Sequence, residues 1–580
     1  MGADHSGLGA GGWRARFAVW RAARGPVAQG FASSPEPRSI GLFAKGRQLV
    51  AGNYLFAGHL IESPGTGLWD IDPPDPDFAA EIQGFAWLDD LAAMGDAQAR
   101  LRAQAWTQDW ISRFGAGRGP GWTPDLTGRR VIRWIHHALF LLNGADRAAT
   151  DAYYKALTVQ TRYLARHWAK AAPGLPRFEA LTGLTYAGLS LIGMEALVGP
   201  ALAALSIECR REIDVGGGIA TRNPEELLEV FTLLNWASQA LTDAGHTVPV
   251  DQLEAIGRLA PTLRALRHAD GGLARFHGGG RGLEGRLDQA LASAGVRPTL
   301  PKAGRQPAPA MGFVRLFAGR TSIIMDAASP PGGRAGKSAH ASTLAFEVTS
   351  GRRPLVVSCG SGAPFGYEWR QAGRATPSHS TLCVDGVSSS RFGASGGEVL
   401  EDRATVLTLR HQGSEKGDAV HAAHDGWAAT HGLTHARDLA LSSDGRHISG
   451  LDTLISLNPQ GRARFERVLR ATGMQGVSYT IRFHLHPDAD ATLDMGGNAV
   501  SVALKSGEIW VFRHDSFAKL TLEPSVYLEK GRLKPRATKQ IILSGHAAEI
   551  ETRIGWTLAK AQDTPLAIRD LDRDDNPVPL

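Results

Sequence analysis

A change of hydrophobic period near the middle of the chain constrains its fold more than any other feature. Between about 75 and 270 the apolar residues recur at helical spacing, as in Phe85, Leu88, Leu91 and Ala92, then Leu101, Ala105 and Ile111. Further amphipathic stretches cover roughly 127–143, 148–170, 178–193, 197–212, 224–243 and 249–268, separated by breakers such as Pro173-Gly174 and Gly216-Gly217-Gly218. Short loops between consecutive helices predict antiparallel hairpins, and six or seven such helices around a centre make a partial α/α barrel. From about 311 the period drops to two, and 313–317, 344–348, 355–357 and 481–485 read as strands. Ser443-Asp444-Gly445-Arg446 and Met495-Gly496-Gly497-Asn498 read as hairpin turns, because Asn, Asp and Gly tolerate positive φ. Runs of helices followed by runs of strands predict a multidomain α+β chain: an N-terminal (α/α) toroid, then a C-terminal antiparallel β-sandwich.

The expected boundaries are an N-terminal arm at 1–40, a toroid at 41–290, a Pro-rich linker at 291–310, a sandwich at 311–560 and a tail at 561–580. At 580 residues and 43% hydrophobic, such a chain buries sizeable cores without disulfide or metal staples. Its three cysteines, Cys209, Cys359 and Cys383, are too scattered for a disulfide framework and suit a reducing compartment. The charge of +6 is spread along the chain, without the basic stripe and interleaved aromatics of a nucleic-acid binder. No apolar run reaches the eighteen or so residues of a spanning helix. Residues 13–24 (WRARFAVWRAAR) lack the apolar core and cleavage site of a secretory leader. Their Arg and Trp pattern suits a basic amphipathic helix on an anionic surface, but a helix docked on the protein or a loosely ordered arm is the expectation.

Several local patterns are weaker than they look. Gly332-Gly333-Arg334-Ala335-Gly336-Lys337-Ser338 is one residue short of a phosphate loop and leads into a strand, so no helix N-terminus faces a phosphate. No nucleotide or organic cofactor is expected. His421-Ala422-Ala423-His424 and His484-Leu485-His486 have spacings that metals use, but isolated histidine pairs are more often structural.

The stretch 334–391 differs in kind. It runs Lys337-Ser338-Ala339-His340-Ala341-Ser342-Thr343-Leu344-Ala345-Phe346-Glu347, then Pro354-Leu355-Val356-Val357-Ser358-Cys359-Gly360. Trp369-Arg370, Arg374-Ala375-Thr376-Pro377-Ser378-His379-Ser380-Thr381-Leu382 and Val384-Asp385-Gly386 follow. In order and spacing this resembles the C-terminal domain of the heparinase II/III-like polysaccharide lyases. Weaker similarity extends through 177–191, 216–228, 424–426 and 451–454.

The resemblance implies β-elimination from a uronic-acid glycan in a cleft between toroid and sandwich. A base removes the C5 proton, cationic donors neutralise the uronate, and an acid assists O4 departure. The expected partner is therefore an anionic polysaccharide or oligosaccharide. The expected catalytic set is His340, His379, Arg374 and Tyr367, and the expected substrate-binding set is Arg177, Arg222, Asn223, Trp369 and Arg370. The resemblance also implies a structural zinc on His340 and His379. Its third ligand position, an aspartate in the family, is Ser358 here. The family's catalytic histidine falls at Ser338 and its tyrosine near Glu226, while the residue that neutralises the uronate falls at Arg177 or its neighbour.

Two functional readings follow: an active lyase with a rearranged site, which is the expectation, or a catalytically degenerate glycan binder that keeps the lyase fold. Family resemblance places the protein in the cell envelope or periplasm. The missing leader makes the cytoplasm the alternative. Substrate identity and oligomeric state are not legible.

Overall fold

The computed structural model describes residues 8–33, 36–297, 308–393, 397–515 and 517–562. The core of the 291–310 linker and nearly all of the 561–580 tail lie outside the described residues. Contacts divide the chain into two compact units. One holds the residues up to Asp214 together with Glu229–Arg258; the other holds Val215–Leu228 and the chain from Leu259 onward.

The first unit is helical. Helices Pro124–His136, Arg147–His167, Leu175–Ser190, Val198–Glu212 and the greater part of Pro224–Asp243 fall where the 3.6-residue period places them. Pro at the first turn of three of these helices supplies a preset φ where no intrahelical N–H bond is lost. Helices Pro124–His136 and Leu175–Ser190 cross at Gly128 and Gly183, where a Cβ on Gly183 would lie 2.7 Å from the Gly128 Cα. Larger residues there would force the helices apart. Phe85, Trp87, Trp106, Trp110 and Trp134 form one buried aromatic cluster. The buried Arg130 guanidinium stacks over Trp110 and donates to the Gln83 and Gly121 carbonyls, and burial lowers its pKa to about 9.

The N-terminal segment is a helix, Leu8–Ala22. Val19 and Ala22 are buried, whereas Trp13, Phe17 and Trp20 are each more than half exposed. Arg166 and Arg162 of helix Arg147–His167 donate to the Arg21 and Arg24 carbonyls, holding its C-terminal end. None of the described helices is long and apolar enough to cross a membrane.

The second unit is built on two eight-stranded antiparallel arrangements. One has the order Val406–Ser414, Gly417–Trp427, Leu433–Ser442, His447–Ile455, Glu551–Gln562, Ile509–His514, Ala499–Leu504, Ala489–Asp494. The other runs Lys519–Tyr527, Arg536–Ala547, Val477–Leu485, Arg353–Val357, Phe346–Ser350, Thr321–Asp326, Phe313–Ala318, with Leu382–Val384 also paired to Val477–Leu485. The two anticipated hairpin turns sit between strands, with Gly445 at φ +70° and Gly496 at +68°. Inward residues of both sheets form one core around Phe346 stacked on Trp556, with Phe483 and Phe512 against them.

Inside that core, His424 accepts from Gly426 N and so presents Nε2–H to His435 Nδ1 at 3.2 Å; His435 Nε2 then donates to Asp452 at 2.7 Å. Arg437 and Trp556 also donate to Asp452, which satisfies the buried carboxylate. His421, three residues before His424 on the same strand, projects to the opposite face, so this pair does not form a metal site. His484 bonds Ser525 and Pro377, and His486 packs on Tyr527. The glycine-rich segment at 332–338 is a 3-10 turn, Gly333–Ser338, with no helix behind it.

Candidate functional site

The motif residues gather in the second unit around Asp326, the last residue of strand Thr321–Asp326. Asp326 is fully buried. It receives Arg222 Nη2 at 2.5 Å and Ser342 Oγ at 2.7 Å, and His277 Nε2 lies 3.3 Å from its second oxygen. Burial alone would raise its pKa, but Arg222 and His277 hold it well below the usual carboxylate range. His277 Nδ1 accepts from the backbone N–H of His340 at 3.2 Å, so the His277 proton sits on Nε2, toward Asp326. His340 faces His379 with ring centroids 5.1 Å apart, and His379 Nδ1 lies 3.1 Å from Ser358 Oγ. Polar contacts therefore run from Arg222 through Asp326 and His277 to the His340 backbone, and from His379 to Ser358, with the His340 and His379 rings packed against each other between them.

His340 and His379 are 2% and 0% exposed. Burial, with the neighbouring histidines, lowers the pKa of His379 to about 3 and that of His340 well below the ordinary imidazole value. Both are neutral near pH 7. His340 Nδ1 and His379 Nε2 are buried without a hydrogen-bond partner among the described residues. A base for C5 must reach its proton directly or through one water. Neither ring has the exposure to do so.

The expected substrate-binding arginines, and Arg374 of the expected catalytic set, are already engaged. Arg222 uses its Nε and both terminal nitrogens on the carbonyls of Met311, Ala328, Ser329 and Gly312 and on Asp326. Arg374 donates to the Ala339 and Gly336 carbonyls and stacks over Phe392, clamping the loop that carries His340. Thr376 Oγ1 donates to the Ala341 carbonyl from the other side. Arg177 belongs to the helical unit, where it pairs with the buried Glu208 and bonds the Ala171 carbonyl. Arg370 pairs with Glu398. Asn223 caps helix Pro224–Asp243 by accepting from the Glu225 and Glu226 amides. Tyr367 is 66% exposed at the start of helix Tyr367–Arg374, and Trp369 is half-buried on it. Tyr186 is buried and donates to the Trp236 carbonyl.

Two residues of the cluster, His277 and Asp326, are not singled out in the sequence. His277 holds φ +49° and Arg222 φ +51°, sparsely populated values for bulky residues that the surrounding bonds enforce. The signal for His277 is the glycine run after it: Gly278 has φ +86°, and a Cβ there would sit 3.0 Å from the Ser338 Cβ.

His340, His379 and Ser358 offer two imidazoles and one neutral hydroxyl. A structural zinc takes four ligands from thiolate, imidazole and carboxylate groups. No cluster of three or more such side chains suited to a metal exists among the described residues. The donor set does not fit the metal that the resemblance implies.

Known proteins place this geometry in context. Residues 300–557 match the model of the heparinase II/III-like C-terminal domain. FtsZ-localized protein C of Caulobacter vibrioides is 30% identical over 555 residues, covering 93% of this chain and 91% of that protein. The chain belongs to the heparinase II/III-like family. A crystal structure titled heparinase III superposes with a TM-score of 0.65 at 13% identity, covering 95% of this chain and 89% of that one. Heparan sulfate lyase HepC of Pedobacter heparinus superposes with a TM-score of 0.56 at 13% identity, over 95% of this chain and 88% of that one. These matches show the helical-plus-sandwich fold of polysaccharide lyases. Within this family fold, the motif positions of the present chain build an internal brace of hydrogen bonds and packed imidazoles.

Proposed function

We propose that this protein is a catalytically silent member of the heparinase II/III-like family, which keeps the lyase fold to bind an acidic glycan without cleaving it. The observation that carries this reading is the enclosure of His340 and His379, the two imidazoles left at the motif. Elimination needs an accessible base and cationic donors free to meet a carboxylate. Arg222 and Arg374 instead tie loops of the sandwich unit together, and Ser338 and Glu226 occupy the positions where the resemblance implies a histidine and a tyrosine. In the test, the protein is incubated with glucuronan, alginate and heparan sulfate. Affinity electrophoresis should show retardation of at least one glycan, while size-exclusion chromatography shows unchanged chain length. Shortened chains would overturn the reading.

We further propose that it localises with FtsZ, as its relative FtsZ-localized protein C does by name, and that its N-terminal helix lies on an anionic membrane there. The support is helix Leu8–Ala22, which turns small residues inward and Trp13, Phe17 and Trp20 outward, flanked by Arg14, Arg16, Arg21 and Arg24. A helix docked only on protein would bury its largest apolar groups. Aromatic and basic side chains on one exposed surface suit an anionic lipid interface.

A further inference from the structure

The outer face of the first sheet carries a polar groove remote in sequence from the Arg222 to Ser358 brace. A cavity of about 430 Å³ opens over strands Val406–Ser414, Gly417–Trp427, Leu433–Ser442 and His447–Ile455. Its size lies within the ~300–1,000 Å³ of ordinary small-ligand sites. The strand register arranges its lining in two rows. In one, Arg410 stands opposite His421, His421 opposite Asp438, and Asp438 opposite Leu451. In the next, Gln412, Ala419, Ala440 and Ser449 follow one another across the same four strands.

The second row gives the groove its depth. Alanine is a poor strand former, and a solvent-facing sheet row gains more from β-branched residues. Facing alanines therefore do not serve strand stability; they leave a trough between taller neighbours. The first row gives it chemistry. His421 Nδ1 lies 2.8 Å from Asp438 Oδ1, and both side chains stay substantially exposed, at 38% and 51%. The carboxylate fixes the Nδ1–H tautomer and leaves Nε2 as an acceptor with no protein partner among the described residues. Arg410 is exposed and has no acidic partner among the described residues. As an exposed cross-strand ion pair, His421–Asp438 adds little to stability, so folding alone does not account for its place over a trough.

We infer that this groove binds a carboxylate-bearing, hydroxyl-rich saccharide unit. The Arg410 guanidinium meets the carboxylate as a fork, while Asp438, His421 Nε2, Gln412 and Ser449 take the hydroxyls. Leu451 provides the apolar contact for the ring face. The inference rests on the reading that the protein binds glycan, and it names where that binding occurs.

Calorimetric titration of the full chain with a glucuronic-acid tetrasaccharide and with a neutral glucose tetrasaccharide tests it. The acidic ligand should bind saturably, the neutral one at least about tenfold more weakly. Arg410→Ala and Asp438→Ala should each weaken the acidic ligand about tenfold or more with an unchanged thermal midpoint, and Arg410→Lys should recover only part of the loss. Affinity undiminished in both variants would overturn the groove while leaving glycan binding intact. Absence of binding by the parent protein would overturn both. Equal affinity for the two tetrasaccharides would overturn the assigned ligand class.

Discussion

His379 Nδ1 lies 3.1 Å from Ser358 Oγ, so the strand end at Ser358 is tied to the turn at His379 by a neutral hydrogen bond. The family resemblance implies a carboxylate at that strand end and a metal between the two positions. A hydroxyl in its place converts a ligand pair into a brace.

Zinc should therefore be dispensable. The purified protein should carry substoichiometric zinc by mass spectrometry, and chelation should leave its thermal midpoint unchanged. Ser358→Asp restores a third ligand beside His340 and His379. That variant should melt lower than the parent without metal, because it buries a carboxylate, and should recover on adding zinc with uptake of one ion per chain. Stoichiometric zinc in the parent protein would contradict the brace.

Arg222→Ala should be costly. It removes the cation from a fully buried Asp326 and leaves four carbonyls short of a donor. Breaking a buried pair from one side costs about 3–5 kcal/mol. Arg222→Lys should recover only part of this, since one ammonium cannot span the same acceptors. Denaturant unfolding of the sandwich transition measures both.

Stability should fall as the pH drops below about 6.5. His379 titrates near 3 and His484 near 4 in the folded state, against ~6.5 unfolded. Between those values the unfolded chain binds more protons, so each histidine removes about 1.4 kcal/mol per pH unit. The buried carboxylates Asp326 and Asp452, both held low, add their loss only below about pH 4. Denaturant midpoints at pH 7, 6 and 5 should show the slope, and His379→Asn should flatten it.

Replacing Trp13, Phe17 and Trp20 together by serine should weaken co-sedimentation with phosphatidylglycerol vesicles by more than about tenfold and leave the thermal midpoint in place. Vesicles of neutral lipid should bind the parent weakly. Unchanged co-sedimentation of the triple variant would remove the helix from the account.

The fold was legible because its signals are local. Helix Arg147–His167 announces itself by period, and the 443–446 turn by its Asp-Gly pair. The site was legible only in part. Its central acid, Asp326, ends a strand, TSIIMD, that is buried along its whole length, and nothing in that sequence marks the carboxylate as shared. His277 lies 63 residues before His340 and meets it through a backbone amide, a contact no spacing encodes. Arg222 and Arg374 carry the right charge for a uronate clamp, yet charge does not tell whether a guanidinium faces a cleft or a ring of carbonyls. Burial decides that, and burial is set by tertiary packing.

The most direct measurement is ultraviolet absorbance of the full-length protein mixed with glucuronan, alginate and heparan sulfate, because elimination leaves an absorbing double bond at the new chain end. A flat trace is expected with every glycan, with and without zinc, including the glycan that the protein retards. A sustained rise with any of them, lost in His340→Ala or His379→Ala, would show that the enclosed imidazoles reach substrate and would contradict it.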